Sequence, residues 1–143
     1  MGILFEVKGK PQGKGRPRFS SRGNFVKTYT PQKTANYENW IKTSFLNQCK
    51  DFDINYDGAV KVKIEAIYSV PKSYSKKKRA ELLDFQMPYL HKPDVDNIAK
   101  CVCDALNGIA YKDDSQVSLL FIDKKYGLED KLIVEIEYMD MEV

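Results

Sequence analysis

Residues 92–114 constrain this chain more than any other segment. Ile98, Cys101, Val102, Ala105 and Leu106 recur at helical spacing, so residues from about Asp96 to Leu106 are expected to form a helix with one apolar face. Projected along that helix, Asp96, Lys100 and Asp104 follow one another about 40° apart on the opposite side, with Asn97 beside them. Pro93 biases Lys92 towards an extended conformation, so the chain is expected to enter the helix straight, with Asp94 or Asp96 as N-cap. Asn107-Gly108 supplies the C-terminal stop.

Ordinary helix chemistry explains part of this charge. Aspartate is a favoured N-cap and acids suit a helix N-terminus, which accounts for one of the two leading carboxylates. Asp96 and Lys100, four residues apart, would add an ion pair of only about 0.3–0.5 kcal/mol. A second acidic element, Tyr111-Lys112-Asp113-Asp114-Ser115-Gln116, follows, and taken alone it is a turn. A strand running back antiparallel to the helix, however, would bring Asp114 or Asp113 close to Asp94 and Asp96. Carboxylates so grouped repel one another, by roughly several kcal/mol if buried without a counterion. A divalent metal removes that cost. Three hard oxygen ligands with waters suit Mg²⁺, Lys100 would stand one turn away within reach of a phosphate oxygen, and such a site can hydrolyse phosphodiesters.

The rest of the chain bounds the partner. Its 143 residues, 43% hydrophobic and 30% charged, are expected to form one domain with a real core. No apolar run approaches the roughly 20 residues of a membrane span, and residues 1–6 lack the charged leader and apolar core of a signal peptide. Cys49, Cys101 and Cys103 lack CxxC spacing, and the last two would stand about 200° apart on a helix, so neither a disulfide framework nor a zinc site is expected. Reduced thiols in the cytoplasm are the expectation. The net charge is only +3, but no acidic residue falls between Glu6 and Glu38, where Lys8, Lys10, Lys14, Arg16, Arg18, Arg22, Lys27 and Lys33 all lie. Lys76-Lys77-Lys78-Arg79 forms a second basic run, whereas six of the last fifteen positions are acidic. A basic face and a polyanionic partner follow, with Phe19 and Phe25 placed to stack on bases. A solvated surface would explain the second run equally well. His91, the one histidine, lies in a connector and is expected to be an ordinary loop residue.

Element by element, residues 3–8 and 25–29 are expected to be strands, with a Gly- and Pro-containing loop or arm from Gly9 to Gly23 between them. Thr30-Pro31 opens a helix to about Asn47. Ala59 to Val70 alternates as a half-exposed strand, Ser75 caps a short basic helix to about Phe85, and Val117–Tyr126 and Lys131–Tyr138 are two further strands. The order β-β-α-β-α-α-β-β lacks regular βαβ alternation, which predicts an α+β fold: a small mixed β-sheet with helices packed on one face.

The segments Lys92-Pro93-Asp94-Val95-Asp96-Asn97-Ile98-Ala99-Lys100, Asp104-Ala105-Leu106-Asn107-Gly108 and Tyr111-Lys112-Asp113-Asp114-Ser115-Gln116-Val117 resemble, in order and spacing, the DxDN…K…DALxG…DD pattern of the RusA family of Holliday junction resolvases. Gly15-Arg16-Pro17-Arg18-Phe19 and Tyr29-Thr30-Pro31 are similar to that family's N-terminal region. The resemblance implies a homodimeric, Mg²⁺-dependent endonuclease that makes paired nicks across a four-way DNA junction. It places the acidic triad on Asp94, Asp96 and Asp114 and the functional lysine on Lys100, with Asp113 as an alternative ligand. Phosphate contacts would come from Lys14, Arg16, Arg18 and Lys92. No small-molecule cofactor is implied. Two rivals stand beside this reading: a non-catalytic nucleic-acid-binding module whose acids only cap and turn, and a nuclease acting on flaps or other branched DNA. A binding module has no reason to set three carboxylates beside a basic surface.

Overall fold

In the computed structural model residues 2–15, 18–22, 25–29 and 32–139 are described, those of 18–22 and 25–29 as backbone only. The elements run β1 (Gly2–Lys8), β2 (Arg18–Arg22), β3 (Phe25–Tyr29), α1 (Gln32–Gln48), β4 (Val60–Ser69), α2 (Lys76–Asp84), α3 (Val95–Leu106), a short 3₁₀ turn (Asp114–Gln116), β5 (Val117–Gly127) and β6 (Lys131–Tyr138). The expected order is recovered with one addition. Residues 18–22, read from the sequence as part of a loop or arm, pair antiparallel with β3 as a separate two-stranded sheet, Arg18 opposite Tyr29. Arg-Phe-Ser-Ser-Arg carries little alternation of its own, so the partner strand supplies its pairing. The N-cap expected at Thr30 lies outside the described residues.

Four strands make the main sheet, in the order β1-β6-β4-β5. β6 is antiparallel to both neighbours, whereas β4 and β5 run parallel, joined by the crossover that contains α2 and α3. The alternation in β4 reads directly into two faces. Val60, Val62, Ile64, Ala66 and Tyr68 are buried with Leu132, Val134 and Ile136 of β6 and Phe5 and Val7 of β1. Ile98, Cys101, Val102, Ala105 and Leu106 of α3 and Tyr37, Ile41 and Phe45 of α1 cover that face. Burying this many large side chains at roughly 1.5–3 kcal/mol each is what holds the helices on the sheet. The other face carries charged cross-strand pairs, among them Lys61–Glu137 and Lys131–Glu6. This is the α+β architecture expected, with the helices on one face of a mixed sheet.

Two glycines position the site. Gly108 adopts φ +76° just past α3, a left-handed turn that any other residue would enter at a cost. Gly13 lies so close to α3 that a Cβ there would stand 2.9 Å from the side chains of both Pro93 and Asn97. Among the described residues no helix is long and apolar enough to cross a membrane.

Candidate active site

Asp94 is the N-cap of α3, in extended backbone at φ −73° and ψ 152°, yet its side chain makes no capping hydrogen bond. It accepts instead from the Lys92 ammonium at 2.8 Å, and that bond holds its carboxyl below the usual range, with Lys124 adding to the pull. Both partners are exposed, so solvent screens the pair. Asp96 follows in the first turn, exposed, its side chain with no hydrogen bond or ion pair to any described residue. The chain reaches them through a bend at residues 91–93, with a cis Lys92–Pro93 peptide, and not straight as Pro93 had suggested. Lys124 fastens this bend from below, its ammonium donating to the carbonyls of His91 at 2.8 Å and Pro93 at 2.9 Å. Nothing local in the sequence marked Lys124. It belongs to a strand whose edge happens to run beneath the connector.

Further along α3 the charges form a network. Lys100 lies 3.3 Å from Asp104, whose other oxygen is 2.9 Å from Lys14, and Lys14 is 2.7 Å from Glu38 on α1. Lys100 is 63% exposed, whereas Lys14 and Asp104 are only 20% and 22% exposed. Burial opposes the charge on Lys14, but Glu38 and Asp104 outweigh it and raise its pKa above the ordinary value. Asp104 mirrors this: burial works to raise it, and the bonds from Lys14 and Lys100 bring it below the ordinary value. The Lys14 backbone N–H also donates to the Asn97 carbonyl at 2.9 Å. The expected phosphate contact at Lys14 is therefore a side chain engaged by two protein carboxylates, clamping the start of the basic arm onto α3. Arg16 and the side chain of Arg18 lie outside the described residues, as do the rings of Phe19 and Phe25. Glu38 was not singled out from the sequence, because only the packing of α1 on α3 gives it a role.

The second acidic element separates its two aspartates. Asp113 is the N-cap of the 3₁₀ turn and its carboxylate accepts from the Ser115 hydroxyl and backbone N–H, which together hold it below the usual range. Gln116 completes a capping box by accepting from the Asp113 N–H at 3.0 Å, while its amide donates to the carbonyls of Tyr56 and Gly58. The side chain of Asp114, half-buried, makes no hydrogen bond or ion pair to any described residue. It acts, with Asp104, on the Cys103 thiol and the Tyr111 hydroxyl, both of which burial chiefly pushes up, so it lies beside the C-terminal half of α3. Asp96 and Cys103 are two helical turns apart, roughly 10 Å along the axis.

A metal is tested by these facts in two ways. The donor chemistry fits a hard divalent ion: three carboxylates, one at a cap position it does not use for capping and two without a protein partner. The geometry does not present a ready cage, since among the described residues no group of three or more His, Cys, Asp or Glu stands close enough to hold an ion. The close grouping expected of Asp94, Asp96 and Asp114 is therefore not what the structure presents.

Comparison with known proteins bears on the same segment. A family model described as endodeoxyribonuclease RusA matches residues 8–137. A protein of Bacillus subtilis (strain 168), YqaN, described as uncharacterized, is 36% identical over 136 residues, covering 94% of each chain. The matched span takes in the basic arm, α3 with its acids and the 3₁₀ turn, and nucleases of this family depend on a metal ion in general. On that match the chain belongs to the RusA family of endodeoxyribonucleases, enzymes that resolve Holliday junctions.

Proposed function

We propose that the protein is a Mg²⁺-dependent resolvase that nicks two strands of a four-way DNA junction symmetrically, as a homodimer. The observation that carries this reading is that the Asp96 and Asp114 side chains have no partner among the described residues and Asp94 bonds Lys92 instead of capping α3, whereas Asp113 caps its turn. Asp94, Asp96 and Asp114 would hold the ion, Asp94 by exchanging its bond to Lys92. An ion held by these carboxylates would supply polarisation of a phosphoryl oxygen and a water of lowered pKa. Lys100 stabilises the negative charge that grows on the phosphoryl oxygens, and Asp104 keeps its ammonium on that side of the helix. Arg16, Arg18 and Lys92 grip phosphates flanking the cut and set the salt dependence of binding. Lys14 reaches DNA only by leaving Glu38 and Asp104, so we assign it to fastening the arm.

The edge of the sheet supports a dimer. The second half of β5 is covered by the connector, with Tyr89 donating to the Lys124 carbonyl and Tyr126 to that of Met87. Its first half has no further strand beside it among the described residues, and Leu119, Leu120 and Phe121 there are 44%, 44% and 53% exposed. An apolar free edge is a liability unless something pairs with it. A second copy fits, because antiparallel pairing about Leu120 sets Leu119 against Phe121 and brings no like charges together. Two active sites related by a two-fold axis also match the two equivalent strands of a junction. Three free cysteines agree with a reducing, cytoplasmic setting.

The test is nicking of a synthetic four-way junction, beside a flap and a linear duplex, with Mg²⁺ or EDTA. Symmetric Mg²⁺-dependent cuts on the four-way junction are expected. Preferred cutting of the flap would move the substrate to another branched DNA, and binding without cutting under any divalent ion would overturn the mechanism. Leu120→Lys is expected to shift the protein from dimer to monomer by sedimentation and to abolish paired nicking.

A further inference from the structure

Beside the bend that leads into Asp94 lies a cleft of about 260 Å³ that the mechanism above leaves unused. Its walls come from three parts of the chain: Tyr68 and Tyr74 from the end of β4 and the turn after it, Tyr89 from the connector and Tyr126 from β5. Tyr68 and Tyr89 stack with centroids 3.8 Å apart and planes within 7°, and Tyr126 and His91 each meet Tyr89 edge-on at 5.3 Å. Tyr68 and Tyr126 are buried and hold the cluster rigid, so the half-buried Tyr74 and Tyr89 are the rings that offer flat, electron-rich surface, with the Lys78 ammonium 4.1 Å from the Tyr74 centroid. Two further charged groups stand among them. Lys10 is exposed and forms no ion pair with any described residue. Asp130 accepts through Oδ1 from the Ser69 backbone N–H at 2.8 Å and the Ser69 hydroxyl at 3.2 Å, while Oδ2 has no partner among the described residues.

Apolar packing alone would not place a half-buried carboxylate with a spare oxygen among four tyrosines. Resting on the resolvase reading, we infer that this cleft takes one unpaired nucleobase of the branched DNA, its face against the tyrosines, its exocyclic amino group donating to Asp130 and its phosphate on Lys10. Stacking on aromatic side chains accepts any base, since every base has a π face. The carboxylate does not, because it only accepts: cytosine, adenine and guanine carry an exocyclic amino donor, whereas the one donor of thymine is a ring N3–H flanked by two carbonyl oxygens that the carboxylate repels. His91 lines the cleft and Asp94 is three residues further on, a span of at most about 10 Å, so the base that is read neighbours the nicked phosphate. The cleft is thus a device for cleavage-sequence preference, separate from the acids that cut.

Fluorescent single-stranded dC and dT oligomers, titrated in EDTA, test this without any strand being cut. The wild type is expected to bind dC about ten-fold more tightly than dT. Asp130→Asn, whose amide both donates and accepts, is expected to bring that ratio close to one with an unchanged Tm. Tyr74→Ala weakens both oligomers by about ten-fold. Lys10→Ala, which leaves the Asp130–Ser69 bonds intact, lowers the slope of log affinity against log salt by about one phosphate contact. Equal binding of dC and dT by the wild type, or a ratio unmoved in Asp130→Asn, overturns the inference. Junction nicking by the same preparations keeps the two readings apart. Cutting with no base preference sinks the cleft and leaves the resolvase, and base preference without cutting of any junction does the reverse.

Discussion

Asp94 and Asp113 occupy the same kind of position, an N-cap in extended backbone just before a short or long helix, and only Asp113 caps. Its turn is locally self-sufficient. Ser115 offers a hydroxyl and an N–H two residues on, and Gln116 is long enough to reach back to the cap N–H. At α3 the residue in Gln116's place is Asn97, one methylene shorter and packed under Gly13, and Lys92 draws the Asp94 carboxylate away from the helix. Capping therefore explains Asp113 completely and leaves Asp94 without local work. The difference teaches that residue type and position along a helix do not decide whether an acid serves the fold or the chemistry. The competing partners do.

The largest effect that sharpens this contrast is expected from Asp94→Asn. Nicking should fall at least about a hundred-fold, more than loss of an outer-shell partner costs, while Tm stays within about a degree of wild type because no cap is lost. A clear drop in Tm would mean that Asp94 supports the helix after all.

Next in size is Lys14→Met, since the support under the two turns also differs. The α3 turn leans on the distant arm, through Gly13, the Lys14 N–H and the Lys14 ammonium, whereas the 3₁₀ turn is tied mainly to itself. Removing the ammonium leaves Glu38 and Asp104 facing each other. The expected cost is about 1–2 kcal/mol by denaturant melt, below that of a fully buried pair because a fifth of the Lys14 side chain is exposed. Nicking should fall with it, as the basic arm loses the ammonium that ties it to α3.

Asp113→Ala is the converse of Asp94→Asn: a Tm lower by a few degrees with nicking kept within about two-fold. Lost nicking without lost stability would exchange the roles of Asp113 and Asp114.

The smallest effect is in the pH dependence of stability. Asp104 titrates below its ordinary value of 3.8, so its contribution is present above that pH and disappears as pH falls through the lower folded value. Lys14 titrates above its ordinary 10.5, so its contribution is present below that pH and disappears as pH rises through the higher folded value. Denaturant midpoints should therefore be flat with respect to this network between those limits, and Asp104→Asn should shallow the acid limb.

Local sequence determined a good deal. The 3.6-residue recurrence of Ile98, Cys101, Val102, Ala105 and Leu106 and the alternation from Val60 to Ala66 mark which face of α3 and of β4 is buried, because each pattern leaves only one face to bury. The spacing of Asp94, Asp96, Lys100 and Asp113-Asp114 likewise marked the segment to which we assign the chemistry. Tertiary structure decided what a one-dimensional pattern does not contain. Lys14 turned from an expected DNA contact into a clamp because Glu38 and Asp104, 24 and 90 positions away, converge on it when α1 packs against α3. Residues 18–22 became a strand because β3 offers a backbone to pair with, and Lys124 acquired its role from the connector laid over it. The tyrosine cleft is the clearest case, since its four rings are scattered over nearly sixty residues and meet only when β4, β5 and the connector are assembled. Periodicity encodes which face of an element is buried, and only the packed elements determine which side chains meet.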